Sequence, residues 1–150
     1  MPGRVTAKQR AAVTERARNF CEYCRSPGRF ATQPLSVEHV HPRLKGGDSR
    51  MDNLALACQG CNGHKHTKTT AADPFTERRV PLYHPRQQRW SDHFAWSDDF
   101  TRVVGLTAAG RATVILLQLN RETLINLRAV LLTLRQHPPE EPAAESEGDA

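Results

Sequence analysis

Two Cys-x-x-Cys pairs, Cys21-Glu22-Tyr23-Cys24 and Cys58-Gln59-Gly60-Cys61, carry the strongest chemical signal in the chain. Each such turn offers two soft thiolates at the bite that a tetrahedral zinc ion accepts. Two turns make a closed four-thiolate site, which staples a fold and leaves no open position for catalysis. Four redox-active thiols are the competing explanation, but neither pair stands as a lone reactive motif in a thioredoxin-like βαβ pattern. Between the pairs lies a second set: Val37-Glu38-His39-Val40-His41-Pro42, Gly46-Gly47 and Asp52-Asn53-Leu54, with Asn62-Gly63-His64-Lys65 directly after Cys61. A neutral imidazole near pH 7 can take a proton from water. Carboxylate and amide oxygens suit a hard divalent ion such as Mg²⁺ or Mn²⁺.

Elements must position these groups. Thr6 can cap a helix over 6–19 that delivers the chain to Cys21. Alternation predicts a strand over 35–41 and a short second strand over 53–57, separated by the turn signal Lys45-Gly46-Gly47-Asp48. A helix to about Thr69 should follow Cys61, so residues 35–69 read β, loop, β, α. Pro74, Pro81 and Pro85 predict an irregular basic connection from Ala71 to Arg89. A β-hairpin is expected from Asp92 to Leu106, then helices over 108–119 and 121–136, the latter with Leu124, Leu127, Leu131 and Leu134 as an apolar stripe. Trp90, Phe94 and Trp96 read as hairpin core. Successive strand side chains face opposite ways, so Glu38 and His39 can share a site only where the strand ends or bends.

On Glu38-His39, Asn53 and Asn62, the chain resembles the HNH endonuclease family, with its ββα-metal (His-Me finger) fold. Thirteen residues separate His39 from Asn53 and eight separate Asn53 from Asn62. Pro42, Gly46-Gly47, Asn53-Leu54 and Cys61-Asn62-x-x-Lys65 match as well, and the specific likeness covers residues 21–65. The resemblance implies a metal-dependent hydrolase of DNA phosphodiesters. In it His39 is the general base, Glu38 and Asn62 hold a Mg²⁺- or Mn²⁺-type ion, and Asn53 braces the loop carrying His39. Cys21, Cys24, Cys58 and Cys61 would hold structural zinc. Two departures stand out. Glu38 occupies a position more often Asp, and Asn62, a weaker ligand than His for a transition metal, favours Mg²⁺. His66, four residues past Asn62, is a candidate third ligand. Lys65 is expected at phosphate or on the helix surface. Trp90 through Arg111-Ala112-Thr113 to Asn120 resembles the C-terminal extension of small stand-alone bacterial HNH proteins.

The formal charge of +5 divides into +10 on residues 1–137 and −5 on 138–150. So basic a body suits a polyanion, most simply nucleic acid. Arg43, Lys45, Lys65, Lys68, Arg78, Arg79, Arg86 and Arg89 are candidate phosphate contacts. No base-reading module is evident, so DNA binding with little sequence specificity is expected. No apolar run approaches a membrane span and the N-terminal residues do not read as a signal peptide, which points to the cytoplasm.

The expectation is an α+β fold: a ββα-metal core held by a four-cysteine zinc site, an N-terminal helix, and a C-terminal β-hairpin with a helical hairpin. Residues 1–137 form one domain, with core 21–69 and extension 90–136, and 138–150 an acidic disordered tail. A non-catalytic, zinc-stabilised nucleic-acid-binding module is the alternative.

Overall fold

A computed structural model describes residues 4–141. The architecture is mixed α+β, with three two-stranded antiparallel sheets and five α-helices among the described residues. Helix α1 (Ala7–Arg16) opens with a complete capping box between Thr6 and Gln9. It ends before Arg18 and Asn19, which take left-handed backbone angles and turn the chain into Cys21.

Strands β1 (Ser36–His39) and β2 (Leu54–Ala57) pair with Glu38 opposite Ala55 and His39 opposite Leu54. All four residues of β2 are buried, so the strand is covered on both faces. Leu54 and Leu56 pack with Val13 and Ala17 of the α1 segment, whereas Ala57 joins the larger core around the cysteines. A leucine at Ala57 would overfill that second side. Helix α2 (Gln59–Lys65) follows, capped by the Cys58 sulfur. It stops sooner than the expected Thr69, because His66 leaves the helical region at φ 50°.

The stretch from Ala71 to Arg89 is not irregular throughout. Strands β3 (Thr70–Ala72) and β4 (Arg79–Pro81) form a hairpin. Three-residue strands interrupted by prolines carry too little alternation to be seen in sequence. One helical turn, α3 (Trp90–His93), leads into the expected second hairpin, β5 (Phe94–Trp96) and β6 (Val103–Gly105). Helices α4 (Ala108–Leu116) and α5 (Glu122–Thr133) complete the chain. Trp90 and Phe94 lie in the core, with Trp96 packed against it.

The apolar stripe of α5 is broken. Leu124 and Leu131 are buried, Leu134 is 52% exposed, and a buried face position belongs to Arg128. Its guanidinium donates to the carbonyls of Leu119 at 2.8 Å, Thr101 at 3.0 Å and Cys24 at 3.4 Å. Buried peptide oxygens need donors, and one arginine supplies three loops at once. Glu141 accepts a hydrogen bond from the backbone N–H of Ser91 at 3.0 Å. The rest of the acidic tail expected to be disordered, residues 142–150, lies outside the described residues. No helix among the described residues is long and apolar enough to cross a membrane.

Candidate active site and metal centre

Both cysteine turns have one local geometry. The backbone N–H of Cys24 points at the Cys21 sulfur and that of Cys61 at the Cys58 sulfur, each at 3.5 Å. The four sulfurs come from two turns far apart in sequence and gather within 4.8 Å of one another. The Cys24–Cys58 sulfur separation is 3.7 Å. A zinc–sulfur bond of about 2.3 Å in a tetrahedron gives an edge of about 3.8 Å. Four buried thiols at that spacing therefore fit one tetrahedral ion. Burial pushes Cys21 up, and hydrogen bonds led by the one to Cys21 raise Cys61 and hold Cys58 well down.

The surroundings of this centre come from distant segments. Arg121 donates to the Cys58 sulfur at 3.3 Å and to the Cys61 sulfur at 3.6 Å. It lies so close over Gly60 that a Cβ there would meet the guanidinium at 2.5 Å. Trp90 donates its indole N–H to the Tyr23 carbonyl at 2.9 Å. Glu22 docks the first turn on β2: its N–H donates to the Leu56 carbonyl at 2.9 Å and its carboxylate accepts from the Leu56 N–H at 2.8 Å. The other carboxylate oxygen of Glu22 takes Arg86, which is half-buried. Arg86 is thus an internal tie, not the phosphate contact its place in a basic segment suggests.

His39 is the last residue of β1. Its ring is half-buried, with Nε2 2.8 Å from the Ser49 hydroxyl. Helix α1 holds that serine: the Gln9 side chain donates to the Ser49 carbonyl at 2.7 Å, and Arg16 donates to the carbonyls of Met51 and Leu54 at 3.0 and 2.6 Å. Asn53 closes the loop. Its Oδ1 accepts from the His41 N–H at 2.8 Å, and its Nδ2 donates to the carbonyls of His41 at 3.0 Å and Asp48 at 2.7 Å. Gly46 sits at φ 93° and a Cβ on Gly47 would strike the His41 carbonyl at 1.8 Å, so the loop needs both glycines. Burial pushes the His39 imidazole below its ordinary range, and the charges of Arg43 and Lys65 add to this against Asp48.

Glu38 points the other way, into the interior. It is 5% exposed, and its two oxygens receive the Tyr23 hydroxyl and the Lys65 ammonium, the latter at 3.2 Å. Lys65 is 1% exposed and also donates to the Val40 carbonyl at 2.9 Å. It is therefore neither a surface lysine nor an open phosphate contact. Burial raises the Glu38 pKa, with Lys65 as the main opposing charge. Lys65 links the two adjacent residues, since it pairs with Glu38 and its charge reaches His39.

Asn62 is half-buried on α2, three residues before Lys65. A carboxylate with an amide oxygen is the donor set of a hard divalent ion, and the buried Glu38 already holds one cation, Lys65. Such an ion and the Lys65 ammonium would compete for the same oxygen. His66 is the C-cap of α2: its N–H donates to the Asn62 carbonyl at 2.9 Å and its own backbone turns out of the helical region. Among the described residues only the four cysteines form a cluster of three or more His, Cys, Asp or Glu ligand atoms.

Sequence reasoning did not assign Gln9, Arg16, Tyr23 or His84 to this region. His84 is half-buried, its Nδ1 accepts from the Arg86 N–H at 3.2 Å, and Lys65, Asp52 and His41 are among the charges it feels. Tyr23, inside a Cys-x-x-Cys turn, and Gln9, three residues after the Thr6 cap, carried local signals; Arg16 and His84 carried none. Arg43, Lys45, Lys68, Arg78, Arg79 and Arg89 are exposed.

Residues 21–68, about a third of the chain, match the family model described as HNH endonuclease. No curated protein and no solved structure matches the chain. The segment is thus an HNH domain, and its four-cysteine cluster fits the zinc-binding form of the ββα core.

Proposed function

We propose that this HNH domain is a metal-dependent DNA endonuclease in which His39 activates water. The observation that carries the reading is His39 itself: a partly exposed imidazole at the end of β1, biased toward its neutral form, on a loop braced by Asn53. A neutral imidazole accepts the water proton, the water oxygen attacks phosphorus, and the bond to the 3′ oxygen breaks. Glu38 and Asn62 would hold a Mg²⁺- or Mn²⁺-type ion, which supplies positive charge at the phosphate and the leaving oxygen when bound. Lys65 keeps Glu38 compensated until then. Asn53 fixes the His39 loop through backbone contacts and needs no contact with DNA.

Zinc on Cys21, Cys24, Cys58 and Cys61 would tie the base of the core. Contacts of Trp90, Arg121 and Arg128 with the cysteine turns support one domain over residues 1–137, extension included. The exposed arginines and lysines are point contacts for phosphate, in keeping with DNA binding of little sequence preference. A metal-binding thiol cluster suits a reducing, cytoplasmic setting.

The engagement of Glu38 by Tyr23 and Lys65 favours one second reading, a zinc-stabilised DNA-binding module without catalysis. Supercoiled-plasmid nicking by wild type and His39→Ala, with Mg²⁺, Mn²⁺ or EDTA, separates the two. The endonuclease reading expects nicking by wild type alone, abolished by EDTA. Binding without nicking by either protein would favour the module.

A further inference from the structure

The β3–β4 hairpin tip presents an aromatic ring that the catalytic reading does not use. Phe75 is 79% exposed. An exposed phenylalanine on a loose turn would mean little, but this turn is braced from below. Asp73 is fully buried and takes a two-point ion pair from Arg111 of α4, with Nε at 2.9 Å and Nη2 at 3.0 Å. The same carboxylate accepts the Phe75 N–H at 3.2 Å and the Thr76 hydroxyl at 2.9 Å. The Asp73 N–H donates to the Arg78 carbonyl and the Glu77 N–H to the Asp73 carbonyl, each at 2.8 Å. The Arg111 guanidinium carbon then lies 4.4 Å from the centre of the Phe75 ring. The ring is held by a cation–π contact with an arginine that is itself fixed.

The charges along this hairpin suit a polyanion. Lys68, Arg78 and Arg79 are exposed around the hairpin against one exposed acid, Glu77. Lys68 and Arg79 also line a cleft of about 230 Å³ whose remaining wall includes Ala72, Ile115 and Leu116. Strand β3 follows α2 closely, so the hairpin and the proposed site are parts of one connected stretch of chain. A pre-ordered ring on a cationic hairpin stacks on a base at little cost in side-chain entropy, and a stacked base in a duplex has no free face to offer.

The geometry points to Phe75 as a stacking platform for an unpaired base, giving the protein a preference for single-stranded or locally unpaired DNA next to Lys68, Arg78 and Arg79. This rests on nucleic acid being the substrate, and it adds the form of that substrate.

The test is fluorescence anisotropy with a labelled single strand and the matching duplex, in a His39→Ala background so that no cleavage interferes. Phe75→Ala should weaken single-strand binding by about 10-fold and duplex binding by less than about 2-fold. Phe75→Trp should retain single-strand binding and quench a 2-aminopurine base placed in the strand. Unchanged single-strand affinity in Phe75→Ala overturns the inference, as does an equal loss on both DNAs. Because cleavage is not read, failure of the stacking idea leaves the plasmid-nicking result to judge the nuclease reading separately.

Discussion

The cysteine cluster and the His39 strand end lie in one small core but are built on opposite principles. The cluster is a convergent set: four sulfurs within 4.8 Å, buried, met by Arg121 and Trp90 from two other segments and tied to β2 through Glu22 of the first turn. At the strand end, side chains diverge. His39 turns to the Ser49 loop, and its neighbour Glu38 turns inward to Tyr23 and Lys65. A structural metal centre gains from completeness, because every ligand already in place contributes to folding. On the proposed reading the second region must admit water and phosphate, so its groups cannot be as fully enclosed by protein partners as the sulfurs are. The first region should therefore govern whether the chain folds, and the second what the folded chain can do.

Substitutions that attack each region sharpen this contrast. Cys58→Ser should have the largest effect, since metal binding in such clusters contributes roughly 10–16 kcal/mol, more than a domain's net stability. The expected result is no cooperative thermal unfolding and no retained zinc, read by circular dichroism and metal analysis. A compact variant with full zinc content would remove the clasp from the account. Lys65→Met comes next. It leaves Glu38 buried without its cation, at a cost of about 3–5 kcal/mol in denaturant unfolding. Adding Glu38→Gln should recover part of that loss, because the pair acts as a unit.

Asn53→Ala should cost about 2–3 kcal/mol by leaving loop backbone groups unpaired, and lower nicking far more than Ser91→Ala, a remote control. Arg121→Ala removes charge-assisted contacts worth about 1.5–3 kcal/mol at most. Faster zinc transfer to a chelator, with nicking retained while zinc is bound, is the expected pattern. The smallest effect is in the pH profile. Burial and the charges of Arg43 and Lys65 lower the His39 pKa, so the rising limb of activity should lie below the ordinary histidine value of about 6.5. A bound divalent ion pushes the same way. Arg43→Ala should move that limb slightly to higher pH, and a shift to lower pH would contradict the electrostatic assignment.

Much of the core could be read from the chain because its signals are local. Cys-x-x-Cys turns, Gly46-Gly47 and the two short strands each declare themselves within a few residues. A ββα architecture gathered around four cysteines follows from their order. What could not be read depends on contacts distant in sequence. Lys65 looks like a helix-surface lysine because α2 is too short to show a face, and its burial is set by Glu38 and the Val40 carbonyl. Arg128 interrupts an apolar stripe to serve three carbonyls from other loops. The β3–β4 hairpin depends on Asp73 meeting Arg111, 38 residues away in sequence. Arg86 reads as part of a basic surface, and only the fold brings Glu22 beside it. Periodicity carries packing on one element, and it carries none of these cross-element ion pairs.

If the two regions divide folding and chemistry between them, removing and restoring a divalent ion separates them. The purified protein would be treated with EDTA, then assayed for retained zinc, fold and plasmid nicking before and after Mg²⁺ is added back. The account predicts one zinc per chain retained, an unchanged circular dichroism spectrum, nicking absent in EDTA, and nicking restored by Mg²⁺ in wild type but not in His39→Ala. Nicking that falls in step with zinc loss and returns only with zinc would contradict it, by placing the chemistry at the cysteine cluster.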